Sequence, residues 1–329
     1  MNQTSEHIAP PGHPIHTLME EHRILLDFAA QLMKIAREIK SQGDFSAAGE
    51  RIQSAARIVQ SFKDSQNHYL REENVIFPFV EKHGLTGPPQ VMWVEHDQIR
   101  ALEKNLVQLM ESPQAMKLSD FAAQLERLAA QQSNLLQNHF FKENNILFPH
   151  AIDLLTDLEW AEAKREFSRI GYCPFTPEED RIGEKPAAKQ AAFPSDAEEI
   201  RFATGSLSRE TLEAIFATLP VELTFVDKDD TFRFFSHTHG AIFVRSTATL
   251  GTRVQNCHPQ KSLHLVNKIL EEFKNGSRDV AEFWIPFKGR LIFIRYFAVR
   301  NSVGEYLGSL EVTQDITDIK KIEGEKRLL

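Results

Sequence analysis

The sequence predicts two domains: an all-α four-helix up-down bundle, followed by an α+β domain built on an antiparallel sheet. Apolar residues recur at helical spacing over the first half of the chain, whereas β-branched and aromatic runs dominate the second half. A segment rich in Pro and charge separates the halves, and 329 residues are enough for two cores. We therefore predict a bundle at 13–170, a linker at 171–199, a sheet domain at 200–318 and a terminal helix at 319–329.

The first half predicts four long helices and a shorter fifth one. Apolar residues in the first helix recur three, four or seven positions apart, which places them on one helix face. These residues are Leu18, Leu25, Phe28, Leu32 and Ile35. Short connections between long helices favour an up-down bundle. We place the helices at 15–40, 46–82, 90–111, 119–150 and 156–169.

The second half predicts strands that are joined by tight turns. Five runs are rich in β-branched and aromatic residues: VELTFVD, TFRFFS, VAEFWIPF, RLIFIRYFAV and YLGSLEVTQDI. Turn-forming pairs such as Lys288-Gly289 separate them. Two helices, near 239–245 and 260–275, are expected between the strands, and an amphipathic helix is expected to begin near Ile319.

Composition argues against several classes of function. The net charge of −8, without a clustered Lys/Arg stripe, argues against nucleic-acid binding, because neutralising phosphates needs concentrated positive charge. No apolar run approaches the roughly 20 residues that span a bilayer, and the first residues lack the pattern of a signal peptide. Cys173 and Cys257 form no CxxC pair, so we expect two free thiols. We expect a cytoplasmic protein that binds neither nucleic acid nor membrane.

A repeat in the helical half carries the candidate chemistry. EHRIL at 21–25 is echoed by EHDQI at 95–99, and HYLREENVIFP at 68–78 is echoed by HFFKENNILFP at 139–149. A duplicated helical hairpin would deliver the same EH and HxxxE groups from both halves into one shared interior. Residues four apart lie on one helix face, so the His and Glu of each HxxxE motif can reach neighbouring positions around a metal ion.

This donor set predicts a non-haem di-iron centre. Imidazole and carboxylate suit iron, and a carboxylate can bridge two ions inside a bundle. Zinc more often takes four ligands without a symmetric bridging set, and copper would be excluded by metal availability and not by the sequence. One His on an apolar helix face is usually structural, but a structural role does not account for four in a duplicated pattern. The candidate ligands are His22, His68, Glu72, His96, His139 and Glu143.

The helical half resembles the hemerythrin-like HHE cation-binding domains over roughly 13–155. The EH pairs and the HxxxExxxxFP segments are similar to the pattern of that family. The resemblance implies that the four His are terminal iron ligands and that Glu72 and Glu143 bridge the ions. Respiratory hemerythrins have a further His where this chain has Met92, so stable O2 carriage is not expected. Either His13 or His16 is a candidate for an additional ligand.

The second half resembles a PAS domain, on its order of strands and helices and its LEVTQDIT ending, and the whole chain resembles the HHE-plus-PAS proteins of the DUF438 group. The resemblance implies a ligand-binding or dimerising sensor module with a Phe-lined pocket. Asn256-Cys257 lacks the residues that follow in the flavin-adduct motif of light-sensing PAS domains, so photochemistry is not expected. Haem or another small ligand is a lesser alternative, with candidate axial ligands His237, His239, His258 and His264.

Three functions remain open at this point. The first is a sensor, in which O2, NO, peroxide or the redox state acts on the iron centre and the linker passes the change to the PAS domain. Because no kinase, cyclase or DNA-binding segment follows in this sequence, we expect the output to act through a downstream signalling protein or a homodimer, formed by the PAS domain or the terminal helix. The second is an enzyme that reduces peroxide or NO or takes part in iron–sulfur cluster repair. The third is an iron buffer, which explains the PAS half least.

Overall fold

The computed structural model describes residues 8–181, 199–202, 204–236, 241–257 and 260–327. The chain divides into two compact units, residues 1–185 and 186–329, and each is treated by itself below. Every helix within the described ranges is too short or too polar to cross a lipid bilayer.

Four long helical stretches form the first unit. The first stretch is α1, the second runs from α2 to α4, the third is α5, and the fourth runs from α6 to α7. Their elements are α1 (Pro14–Lys40), α2 (Phe45–Lys63), α3 (Gln66–Arg71), π1 (Glu72–Ile76), α4 (Phe77–Lys82), α5 (Gly87–Glu111), α6 (Leu118–Lys142), π2 (Glu143–Leu147) and α7 (Phe148–Leu154). Helices α1 and α5 each pack against α2 and α6, which closes the four-helix bundle that the sequence predicts.

Local signals fix where the first two helices begin. His13 caps α1, because its Nδ1 atom accepts the N–H of Ile15 at 3.2 Å, and a proline follows at the first helical position. Asp44 caps α2 by accepting the N–H of Ala47 at 2.9 Å. The face of α1 that enters the core carries fully buried Leu25, Ala29, Leu32, Ala36 and Ile39, whose spacing of three or four residues follows the helical period.

Two π-turns interrupt the second and fourth helical stretches, and each begins at a candidate ligand. The N–H of Phe77 donates to the carbonyl of Glu72, five residues earlier, and the N–H of Phe148 donates to the carbonyl of Glu143. A proline directly follows each phenylalanine. A proline ring inside an α-helix clashes with the carbonyl four residues before it, and a wider preceding turn relieves that crowding. The sequence analysis predicts continuous helices over 46–82 and 119–150 and does not include these π-turns.

The predicted helices 46–82 and 119–150 differ from the observed ones in two further ways. The first is interrupted at Ser65, whose Oγ atom donates to the carbonyl of Phe62 at 2.6 Å and so competes with helix continuation. The second continues past residue 150 and ends at Leu154.

After the bundle, α8 (Asp157–Ile170) leads into a segment that folds back over α1 and contacts α3, where Asn67 donates to the carbonyl of Tyr172 at 3.3 Å. We call residues 171–181 the strap. Thr17 Oγ1 donates to the carbonyl of Asp180 at 2.6 Å, and Thr176 is only 2 % exposed. The predicted linker 171–199 is therefore not a free connection over its first part. The strap lacks an apolar period, so the sequence pattern does not show its burial.

The second unit contains the five predicted strands in one antiparallel sheet. The sheet order is β4-β3-β7-β6-β5, and a separate hairpin, β1-β2, precedes it. The elements are β1 (Ile200–Phe202), β2 (Gly205–Leu207), α9 (Arg209–Thr218), β3 (Glu222–Asp227), β4 (Phe232–Phe235), α10 (Gln260–Asn275), β5 (Val280–Phe287), β6 (Arg290–Arg300) and β7 (Tyr306–Asp315). The predicted turn at Lys288-Gly289 joins β5 to β6, with positive φ at both residues.

Three expectations for the second unit need correction. Helix α9 is absent from the sequence interpretation, although Ser208 caps it by accepting the N–H of Thr211 at 3.1 Å. The helix expected near 239–245 falls partly outside the described residues, and 241–245 form no helix. The expected terminal helix is a single 3₁₀ turn at Ile319–Lys321, and 322–327 are not helical. Gly324, with φ of +65°, is incompatible with a continued helix there.

Candidate metal centre

The bundle brings all six candidate ligands into one interior cluster. Each is at most 1 % exposed. His22 comes from α1 and His96 from α5, whereas each HxxxE motif supplies a His from an α-helix and a Glu from the first position of a π-turn. All four helical stretches of the bundle therefore contribute to the cluster.

The cluster divides into two overlapping groups of four residues. Within each group the ligand atoms all lie within 4.8 Å of one another, and two carboxylates are common to both groups. The first group is His22, His68, Glu72 and Glu143; the second is Glu72, His96, His139 and Glu143. This sharing is the arrangement that two neighbouring cations with bridging carboxylates require.

Glu143 presents a different oxygen to each group, whereas Oε2 of Glu72 lies near histidines of both groups, 3.6 Å from His68 Nε2 and 3.3 Å from His96 Nε2. Glu143 Oε2 lies 3.2 Å from His22 Nε2, and Glu143 Oε1 lies 3.2 Å from His139 Nε2. Glu72 Oε1 lies 3.9 Å from His22 Nε2. Metal–ligand bonds of about 2.1 Å put neighbouring ligand atoms about 3 Å apart in an octahedron, so these separations suit atoms around a common ion.

The cluster contains buried polar atoms that nothing in the described part of the chain satisfies. Six such atoms belong to the candidate ligands: Nε2 of His22 and His68, and both carboxylate oxygens of Glu72 and Glu143. Leaving one buried acceptor or donor unpaired costs about 1–3 kcal/mol. An array of six facing one interior therefore calls for a shared occupant of positive charge, and the residues fit metal ions.

Each candidate histidine uses its other ring nitrogen to contact an oxygen outside the cluster. A proton on Nδ1 donates to that oxygen and leaves the Nε2 lone pair directed at the interior. The contacts from Nδ1 are 2.7 Å for His68 to Glu21, 2.8 Å for His96 to Glu73, 2.9 Å for His139 to Glu95 and 2.9 Å for His22 to Asn144.

Cationic side chains hold the outer carboxylates in turn. Arg71 donates to Glu21 at 2.6 Å, and Lys142 contacts Glu95 at the equivalent position of the repeat. Thr176, on the strap, donates to the same carboxylate, Glu21, at 2.5 Å. The repeated positions of these acidic and basic residues are visible in the sequence, but their role is not, because it depends on which helices face each other.

Electrostatics in the cluster favour charged side chains despite their complete burial. Burial opposes the charge on His22, yet the carboxylates of Glu143 and Glu72 outweigh it and raise the pKa of His22 to about 9. Burial likewise opposes ionisation of Glu143, but His139 and the other imidazoles hold its pKa well below the ordinary range. Without metal, a proton on His22 offsets part of the negative charge of the two carboxylates, and a cation would displace it.

The other histidines in the described part of the first unit have different surroundings. His13 caps α1, and His16 Nε2 pairs with Asp180 Oδ1 at 3.1 Å, so neither joins the clusters that could hold a metal. His150 is exposed, as is His83, which also contacts Glu159 at 3.0 Å. No additional ligand comes from these four residues.

The second unit offers little support for a haem ligand. Of the four candidates, His264 is exposed on α10, and His237, His239 and His258 lie outside the described residues.

Cys173 is a buried free thiol in the strap, and burial raises its pKa to about 12.

Comparison with known proteins identifies both domains. A family model described as the hemerythrin HHE cation binding domain matches residues 13–151, and one described as a PAS domain matches residues 212–317. The chain therefore carries a hemerythrin HHE cation-binding domain followed by a PAS domain. The predicted fold class and the predicted order of an HHE domain followed by a PAS domain are confirmed, whereas the resemblance to the DUF438 group stays a prediction. A comparison with curated proteins gives no match.

Several solved structures are similar to part of the chain. A C-terminal domain from Streptococcus mutans is 34 % identical, covers 39 % of this chain and 98 % of its own, and has a TM-score of 0.37. A sensory box sensor histidine kinase from Vibrio cholerae is 12 % identical over 33 % of this chain and 91 % of its own, with a TM-score of 0.26. The PAS domain of BvgS from Bordetella pertussis is 16 % identical over 34 % and 88 %, with a TM-score of 0.27.

Proposed function

We propose that the helical domain holds two iron ions and that the protein is a sensor, in which O2, NO, peroxide or redox state acts at this centre and changes the PAS domain. The observation that carries the proposal is the pair of four-residue groups that share Glu72 and Glu143. One cation in each group would satisfy the buried atoms that otherwise lack partners. The following PAS domain supports sensing over iron storage.

The ligand assignment follows from the two groups. His22 and His68 would bind one ion, His96 and His139 the other, and the two glutamates would bridge them. Four protein ligands leave open positions on each ion, and bound iron would supply binding and redox chemistry toward small oxygen or nitrogen species. The surrounding residues exclude bulk water from this interior, since all six ligands are buried.

The strap offers a physical connection between the centre and the chain that leads to the PAS domain. His68 Nδ1 donates to Glu21, and Thr176 of the strap donates to the other oxygen of the same carboxylate. A change in charge on the ions would alter how strongly His68 donates, and therefore how Glu21 holds the strap. If the strap is bound in one oxidation state and released in the other, this contact is the switch. Hydrogen exchange over 171–181 measures that release.

The first experiment is metal analysis of the full-length protein and of two ligand variants. We expect about two iron ions per chain in the wild type. His68→Ala should weaken one position, whereas Glu143→Ala should lower occupancy at both, because the lost carboxylate is shared. Glu50→Gln, at an exposed position of α2, is the control and should bind as the wild type does. Full occupancy in both ligand variants would contradict the assignment.

The second experiment tests sensing by hydrogen exchange on the iron-loaded, full-length protein in its reduced and oxidised forms. We expect exchange to differ in the strap and in residues 207–327. Mass measurements in both forms would report a change in association state. Unchanged exchange in both regions, together with turnover of NO or peroxide, would contradict the sensor function and support the enzyme function.

A further inference from the structure

The two halves of the repeat differ in the groups that orient their histidines. Glu73 and Asn144 occupy equivalent positions, each directly after the glutamate of HxxxE. Glu73 Oε1 accepts from His96 Nδ1 at 2.8 Å, whereas Asn144 Oδ1 accepts from His22 Nδ1 at 2.9 Å. One half therefore has an anionic acceptor where the other has a neutral amide.

A second difference accompanies the first. Arg100, four residues after His96, donates to Glu73 at 2.7 Å. The equivalent residue, four positions after His22, is Leu26, which has no charge. The repeat thus has a carboxylate with its own cation on one side and two uncharged residues on the other. The net charge of the outer groups stays balanced, so the difference lies in the direct hydrogen bond to the imidazole.

The rings that pack on these two histidines also differ. Phe140 stacks on His22 with centroids 3.9 Å apart, and the equivalent Tyr69 lies 4.8 Å from the ring of His96. His96 consequently has the more polar surroundings. All three differences distinguish the surroundings of His96 from those of His22.

We propose that the two metal positions are unequal, that the position of His96 and His139 fills first, and that Glu73 is the positioning residue responsible. This inference rests on the proposed function. An imidazole whose N–H donates to a carboxylate is a more basic ligand than one that donates to an amide, and its orientation is held more firmly. Loss of such an outer partner typically weakens metal binding by about 10- to 100-fold.

The experiment is an anaerobic titration of the full-length apoprotein with Fe²⁺, in which calorimetry measures the heat of each binding step. Two binding steps do not by themselves show that the metal positions are unequal, because the first bound cation repels the second even at identical positions. The variant Glu73→Gln separates the cases. If the positions are unequal as proposed, it weakens the first step by about tenfold or more. If they are equal, the unaltered position fills first and the loss falls on the second step, which would overturn the inference.

Asn144→Asp is the reciprocal variant, at a half-buried position where an added charge is tolerated more easily. The inference expects it to strengthen the second step and leave the first unchanged, and an effect confined to the first step contradicts it. Glu50→Gln, which removes one negative charge as Glu73→Gln does, is the control for that variant and should change neither step. If the wild type binds no Fe²⁺, the proposed function itself fails, and two bound ions with the opposite variant pattern refute only the inequality.

Discussion

Glu103 is a buried carboxyl outside the candidate ligand set. It lies on α5, is 4 % exposed, and accepts a hydrogen bond from Gln66 at 3.1 Å; its Oε1 atom lies 3.5 Å from Ser65 Oγ. Burial raises its pKa to about 8, against the opposing influence of Arg100, Ser65 and Gln66. Near neutral pH this side chain is therefore mostly protonated in the folded protein.

The raised pKa of Glu103 predicts a pH dependence of stability. The folded protein keeps a proton that the unfolded chain releases between about pH 4.5 and pH 8, so this contribution is complete at low pH and is lost as pH rises through that window. Glu103→Gln stays neutral throughout. Denaturant unfolding should show the variant gaining on the order of a few kcal/mol relative to wild type between about pH 5 and pH 9. A gain equal to that of Glu50→Gln would contradict the burial argument.

At the scale of single residues, the sequence allows the cluster to be predicted but not its surroundings. His68 and Glu72 are four apart on one helix, so helical geometry alone places them together, and the repeat extends this to the other half. The partner of His22 is Asn144, which lies 122 residues away. Such a contact depends on the rotation of one helix against another, which no local pattern specifies.

The strap is the element that carries the next prediction. Thr176→Val keeps the shape of the side chain but removes the hydroxyl that donates to Glu21. We expect a loss of about 1–2 kcal/mol in docking, faster hydrogen exchange over 171–181, and weaker Fe²⁺ binding, because Glu21 also orients His68. Thr176→Ser retains a hydroxyl and should restore slow exchange. Equal exchange in wild type and Thr176→Val would show that the contact does not hold the strap.

At the scale of elements, regular periodicity was sufficient for most helices and strands. The five strand runs and α10 lie where the sequence predicts them, because alternation and helical period are strong over those lengths. Helix α9 is short and has no buried residue, so it lacks the apolar face that makes a helical period visible in the sequence. The π-turns have a signal in the proline after each Phe, but that signal is equally compatible with a helix end.

At the scale of the whole molecule, the division into two compact units indicates where the metal-binding domain can be cut from the rest of the chain. A fragment of residues 1–185 retains the strap and all six candidate ligands, and it corresponds to the first compact unit. We expect it to bind iron as the full chain does and to unfold cooperatively. A fragment of residues 1–170 lacks Thr176 and should bind more weakly and unfold at a lower temperature. Equal behaviour of the two fragments would mean that the strap adds nothing to the centre.

The two-domain division was predictable from the change in texture along the chain, yet its boundary was not. Residues 171–181 mix Pro, charged and apolar residues without an apolar period, as linkers do, and their burial comes from a few contacts such as that of Thr17 with Asp180. Composition averages over such contacts. The domain therefore extends further than its apolar pattern does.

The π-turns have a consequence for the phase of the helices that contain them. Each turn accommodates five residues in one rotation, so the side chains before it and those after it both face inward, as Glu72 and Phe77 do. The extra residue is absorbed within the turn, so the helix beyond it keeps its phase. Deleting Val75 would let an α-turn replace the π-turn, with Phe77 four residues after Glu72 and still facing inward. The deletion would remove the wider turn before Pro78, so the proline ring would crowd the carbonyl four residues before it. In this helix, one added residue makes room for a proline directly beyond a candidate metal ligand.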